Sequence, residues 1–160
     1  MKTQEKTIES KKRIQYHDCD PFNHLNNSRY IDYIMGARTE QILEHYGFNT
    51  AQLLHERGIG WVAAQTQISY FSPASWMEVV TIESRLINFS ESSLLVEAFM
   101  WDEHKTKIKA VMWAKLVHFD VKTQKSNKHS EDLMELFAEI HDMQEDYSSF
   151  EQRVKELRSK

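Results

Sequence analysis

Between residues 77 and 120 the chain reads as three long strands, 77–88, 93–101 and 107–120, with only FSES and DEHK between the first two pairs of ends. Connections this short can only reverse the chain, so neighbouring strands must run antiparallel. Such a meander presents a broad apolar face that has to be covered. In the third strand Ile108, Ala110, Met112, Ala114 and Leu116 alternate onto one face, and the alanines leave room for a helix to lie close. One long apolar helix is available for that position. Over residues 27–46, Ile31, Ile34, Met35, Ile42 and Tyr46 recur at helical spacing, and Gly47 supplies the stop.

The other elements follow from local pattern. Residues 13–17 read as a short first strand, TAQLLHERG as a helical connection, and WVAAQTQISYF as a strand broken by SPAS. Leu133, Leu136, Phe137 and Ile140 mark a closing helix. The order predicts an α+β protein, an antiparallel sheet wrapped around one long central helix. No repeat or low-complexity linker divides the 160 residues. A single domain is expected, with its core over about 11–123 and a helical extension over about 130–158. The opposite face of the last strand carries Val111 and Trp113 among lysines, more apolar than a solvated face needs, so the terminal helix or another chain should cover it.

Composition removes several function classes. The formal charge of −4 gives no general attraction for nucleic acid, and Lys122, Lys125 and Lys128 read as a solvated face. The one cysteine, Cys19, excludes an internal disulfide and a multi-cysteine zinc site. The charged MKTQEKTIESKKR has no apolar signal core and no run approaches a membrane span, so a cytoplasmic protein with no membrane partner is expected. There is no G-x-S-x-G nucleophile elbow, and four scattered glycines form no phosphate-cradling loop.

The polar chemistry collects in YHDCDPFNHLNNSRY, residues 16–30, at the entry of the long helix. A helix start needs one cap, so most of this set is surplus to structure. Asp20 precedes Pro21, which biases it toward extended backbone, and Asp18 shares its face if the segment is extended. On residue chemistry alone either aspartate could be a base or a turn residue. Between them, Cys19 has flanking carboxylates that disfavour a thiolate, so a small buried hydrophobe is the better reading. His24 could shuttle a proton, bind a metal with Asp18 and Asp20, or hydrogen-bond its loop. With no HExxH and no second histidine-rich segment, no metal is expected. Asn26 and Asn27 are both good caps, and unpaired N–H groups in a first helical turn can also stabilise an oxyanion.

DCDPFNHLNNSRYIDYIMGAR, followed by GIGWVAAQTQISYFSPASWMEVVTIESRL, resembles the hotdog-fold thioesterases of the 4-hydroxybenzoyl-CoA thioesterase and acyl-CoA thioesterase group, over about residues 13–123. The resemblance implies a hotdog fold and hydrolysis of a CoA thioester to free acid and CoA. It implies Asp20 as the catalytic carboxylate, acting as nucleophile or general base, with the backbone N–H of Asn27, seven residues on, polarising the carbonyl. Asp18, His24, Asn26 and Tyr30 take supporting places, His24 matching the family's G-H-x-N-N histidine. Asn23 stands where many relatives have glycine, and asparagine tolerates left-handed backbone. Phe22 stands where the similar plant-type acyl-carrier-protein thioesterases carry a catalytic asparagine, so that mechanism has no counterpart here. Ile59, Trp61 and Val62, after the helical connection, are acyl-pocket candidates. The family needs no cofactor beyond the coenzyme A of its acyl-CoA substrate, and its subunits pair edge to edge, implying a homodimer or homotetramer. A non-catalytic acyl-CoA-binding or regulatory module on the same fold, or an acyl-carrier-protein thioesterase, are the alternatives.

Overall fold

The computed structural model describes residues 4–142 and 149–160. In chain order it runs β1 (Thr7–Arg13), a 3₁₀ turn at Tyr16–Asp18, and a second at Asn27–Arg29 leading into α1 (Tyr30–Tyr46). Then come α2 (Thr50–Arg57), β2 (Ile59–Tyr70), β3 (Val79–Phe89), β4 (Ser93–Asp102), β5 (Ile108–Asp120) and the short β6 (Lys125–Ser126). Two helices follow, α3 (Glu131–Ile140) and α4 (Phe150–Arg158). The sheet order is β1-β3-β4-β5-β2, antiparallel throughout, with β6 on the end of β5. This is the α+β arrangement expected from the pattern.

Helix α1 ends where Gly47 adopts φ 65°, a left-handed cap that lets its N–H reach back to Ile42 and Leu43 carbonyls. Its buried residues Tyr30, Ile34 and Ala37 meet Ile82, Ala98, Met100, Ala110, Met112 and Ala114 of the sheet. The alanines do what their size suggests and bring the helix close. Ile108 departs from the expected face. The β4–β5 register slips between Met100 and Trp101, opposite Ile108, and Ile108 packs instead with the cluster of Phe99, Val111 and Trp113 on the far side.

The first strand lies earlier than residues 13–17. β1 pairs with β3 from Thr7↔Arg85 to Arg13↔Val79, and residues 16–18 form a 3₁₀ turn closed by Asp18 N–H to the Gln15 carbonyl. TIESKKR buries only Ile8 fully, so this edge strand has almost no alternation to read.

The far face of the sheet is covered by α4. Phe150 packs edge-on against Trp113 with ring centroids 5.6 Å apart, and Val154 and Leu157 extend the contact. Under the helix Glu97 is fully buried (0 % exposed) and accepts from Arg85 at 2.7 Å, Arg153 at 2.8 Å and the Trp113 indole at 2.8 Å. Arg85 also pairs with Asp142 at 3.1 Å. The cover over Val111 and Trp113 is thus α4, while the closing helix marked by Leu133, Phe137 and Ile140 packs with Leu86 and Leu94 instead. Among the described residues no helix is long and apolar enough to cross a membrane.

Candidate functional site

The loop between the two 3₁₀ turns folds around Asp20. Its backbone N–H donates to the His24 carbonyl (2.8 Å), and its carbonyl accepts from Asn23 N–H (3.0 Å). Asn23 takes φ 62°, which asparagine supplies at modest strain. The Asp20 carboxylate closes the turn, Oδ1 accepting from the backbone N–H groups of Phe22 (2.8 Å) and His24 (3.1 Å). Among the described residues Oδ2 accepts no hydrogen bond. One oxygen is thus fixed and the other is unpaired among the described residues, and Asp20 lines a cleft of about 240 Å³ with His24, Asn27, Tyr30, Tyr70 and Ser72 among others.

The helix start forms the cleft's next edge. Asn26 is the cap, its side-chain oxygen accepting from Ser28 N–H at 3.1 Å, so that side chain is occupied. Asn27 is the first residue of the turn, and its N–H is one that a helix cannot pair internally. No acceptor among the described residues takes it. The 17-residue α1 behind it adds a positive end to its axis.

The opposite wall is the segment read from sequence only as a strand breaker. Leu25 N–H donates to the Ala74 carbonyl (2.7 Å) and Trp76 N–H to that of Asn23 (2.8 Å), strapping residues 72–76 to the Asp20 loop. Tyr30, buried at the root of α1, accepts from Ala74 N–H through its hydroxyl (3.1 Å) and stacks edge-on with Tyr70 at 5.0 Å. The Tyr70 hydroxyl in turn donates to the Asn27 carbonyl (2.9 Å). Tyr70, Ser72 and Pro73 were not found from sequence. Nothing in the local pattern marks them, because their place depends on pairing with a loop some fifty residues earlier.

Asp18 is turned elsewhere. Its Oδ2 accepts from the Tyr33 hydroxyl at 2.6 Å, Arg29 Nε lies 3.7 Å from Oδ1, and its carbonyl accepts from Asn26 N–H. Burial first, then the bond to Asp18, pushes the Tyr33 hydroxyl up to about 12, so it stays a donor. Asp18 ties the loop to α1 and does not line the cleft. The Cys19 thiol donates to the Gln15 carbonyl at 3.4 Å, and burial followed by the neighbouring Asp18 and Asp20 charges pushes it up, away from a thiolate.

A second cavity, about 210 Å³, lies between the C-terminal half of α1, the start of β2 and α3. Trp61 lines it beside Phe48 and Phe137. The Trp61 indole donates to His129 Nε2 at 3.0 Å. Burial, then the adjacent His118, pushes His129 down and favours the neutral ring that can accept. Ile59 and Val62 are not brought to this cavity: Ile59 packs in the core with Leu86 and Leu94, and Val62 is 49 % exposed on the edge strand. Between cleft and cavity a strip of β2 lies open. Thr66 and Ala63, cross-strand from Ala114 and Leu116, remain exposed, with Tyr70 at the cleft end and Trp61 at the cavity end. Among the described residues no group of three or more His, Cys, Asp or Glu side chains is placed to hold a metal ion.

A family model described as the thioesterase-like superfamily matches residues 14–137. The long-chain acyl-CoA thioesterase FadM of Escherichia coli (strain K12) is 25% identical over 114 residues, spanning 71% of this chain and 84% of that protein. Among solved structures, the probable thioesterase YbaW of Escherichia coli aligns with a TM-score of 0.72 at 24% identity, covering 84% of this chain and 99% of that one. The hypothetical protein SAV2348 from Staphylococcus aureus, solved in complex with CoA, aligns with a TM-score of 0.79 at 14% identity over 96% of this chain and 95% of that one.

Proposed function

The chain belongs to the thioesterase-like superfamily and is a thioester hydrolase of the hotdog fold, and from that premise we propose that it hydrolyses acyl-CoA thioesters through Asp20. The observation that carries this reading is that one cleft is lined both by Asp20, one of whose carboxylate oxygens accepts no hydrogen bond among the described residues, and by Asn27, whose first-turn N–H has no acceptor among them. A thioester carbonyl seated there meets Asn27 N–H at its oxygen, and the charge that develops on attack falls at the positive end of α1. Asp20 Oδ2 either takes a proton from the attacking water or attacks the carbonyl carbon itself, forming a mixed anhydride that water then opens. In both routes the C–S bond breaks, the proton passes to the CoA sulfur, and the products are the free acid and CoA. The reading calls for no cofactor beyond the CoA of the substrate. Asp18, Asn26, Tyr30 and His24 act by holding the loop, the cap and the cleft walls.

The carrier assignment draws on the FadM relative, named as an acyl-CoA thioesterase, and on the CoA complex of the Staphylococcus protein. Initial rates on acyl-CoAs from short to long, set against oxygen esters of similar size, test it. Thioesters should be strongly preferred. Equal rates on oxygen esters would count against a thioester site, and ligand-induced stabilisation with no turnover would point to a binding module.

We further propose a homodimer, or a tetramer built from it, joined along β2. This 12-residue strand pairs on one side only among the described residues, and Val62–Gln67 are exposed on both faces. An edge this long and weakly charged is normally covered. Light scattering at assay concentration should give the mass of two chains or four; a fully active monomer would overturn the assignment.

A further inference from the structure

The apolar cavity beside Trp61 contains a buried cation with no anion paired to it among the described residues. Arg38, on α1, is 8 % exposed and lines the cavity with Ile42, Trp61 and Leu116. Its only hydrogen bond among the described residues runs from Nη1 to Ser84 Oγ at 2.9 Å. No carboxylate among the described residues pairs with it. That contrasts with Arg85 and Arg153 on the opposite side of the sheet, each bonded to Glu97. A guanidinium has five N–H donors, and here most of them have no protein acceptor. The group is also held in place. Ser84 Oγ donates to Gln41 Oε1 (2.6 Å), and Gln41 Nε2 donates to Ser10 Oγ (2.7 Å) and the Ile82 carbonyl (2.9 Å), a buried chain linking α1, β3 and β1. Burial pushes Arg38 down to about 10, which still leaves it charged at neutral pH. An uncompensated charge in an apolar pocket is costly, and an anion entering the pocket removes that cost.

Cleft and cavity lie against successive parts of one helical run, Asn27 and Tyr30 lining the first and Met35 and Arg38 the second. α1 leans on β1, β3 and β4, and β2 joins the same cluster through Ile68. Ile31 and Met35 fall on the helix stripe that leads from Asn27 to Arg38, and Met35 already lines the cavity. At the rise of a 3₁₀ turn followed by α-helix, Arg38 lies roughly 16–18 Å along the axis from Asn27. An extended chain covers that span in about thirteen or fourteen bonds.

We propose that Arg38 receives an anionic group at the far end of the acyl chain, so that the preferred substrate class is the CoA thioester of a long dicarboxylic acid. This rests on the thioesterase reading of the Asp20 cleft. The thioester sits at Asp20 and Asn27, the methylenes lie along Ile31, Met35 and the exposed inner face of β2, and the distal carboxylate meets the Arg38 fork.

Non-hydrolysable thioethers separate binding from turnover. S-alkyl-CoA with a chain of about fourteen carbons is compared with the same compound ending in a carboxylate, by calorimetry on the wild type and on Arg38→Met. The carboxylate analogue should bind the wild type about 10- to 100-fold tighter, the range for a charge-assisted bond, and the preference should vanish in Arg38→Met. A wild-type preference under about tenfold, or one that persists without the guanidinium, overturns the site. If Arg38→Met does not fold, Arg38→Lys, which keeps the charge and loses the planar fork, should reduce the preference without abolishing it; an unchanged preference there overturns the site as well. Turnover of acyl-CoAs is measured in parallel. Hydrolysis without a carboxylate preference removes this site alone, whereas the preference without hydrolysis removes the thioesterase reading and leaves the carboxylate site.

Discussion

Asp20→Asn is expected to lower kcat on the best acyl-CoA by about 10²- to 10⁴-fold, the range for loss of a general base, with little change in KM. The substitution is unusually clean here. Asparagine keeps a side-chain oxygen where Oδ1 accepts from Phe22 and His24 N–H, so the turn keeps its closure. What is lost is the charge of a carboxylate that lines the cleft. The backbone N–H of Asn27, the proposed oxyanion donor, and the cavity around Trp61 are untouched, which is why binding should survive. Asp18→Asn is the control. That carboxylate holds Tyr33 and lies near Arg29, away from the cleft, so its loss should show mainly as lower stability with a smaller change in rate. Steady-state rates and melting curves on both variants decide the matter. Retention of more than about a tenth of wild-type kcat by Asp20→Asn, outside even the weak end of the general-base range, would remove the assignment and direct attention to Asp18 and His24.

Glu97→Gln is expected to destabilise the protein by about 3–5 kcal/mol, because it removes the fully buried charge that Arg153 and Arg85 share, although Arg85 keeps Asp142. In a chain of this length that is a fall of roughly 10 °C or more in melting temperature. The pH dependence carries a second signature. Burial raises the Glu97 carboxyl, but its bonds to Arg153 and Trp113 and the charges of Arg153 and Arg85 outweigh it and hold the group below its ordinary value of 4.5. A folded-state value below the unfolded one means that the contribution is complete above about pH 4.5 and is lost as pH falls through the depressed folded value. The gap in melting temperature between wild type and Glu97→Gln should therefore be steady above pH 5 or so and shrink below about 4.5. A gap that is small at neutral pH, or that does not close in acid, would show that α4 is held by Phe150 and its apolar neighbours without need of the ion pairs.

Much of the architecture could be read from neighbouring residues. The short FSES and DEHK connections imposed antiparallel order, the apolar stripe and Gly47 bounded α1, and Asn23 was recognisable as a residue able to take the left-handed turn. These features depend on contacts within a few residues, where backbone preference and side-chain alternation act directly. β1 escaped because an edge strand buries one side chain in seven and so carries no clear period. The two aspartates could not be told apart, since alternation places both on one face of an extended segment. The 3₁₀ turn at Tyr16–Asp18 breaks that extension, and a tyrosine fifteen residues away takes Asp18 while Asp20 stays in the cleft. Tyr70 and Ser72 reach the same cleft only through strand pairing across the domain. Arg38 looks, in isolation, like any helix-surface arginine; its burial with no carboxylate partner among the described residues follows from where α1 settles on β1 and β3. Local periodicity and turn chemistry thus set which elements form and in what order, because those energies are short-range. Which polar groups are spent on structure and which face the cleft was decided only when segments tens of residues apart packed together and either paired each donor, acceptor and charge or left it unpaired.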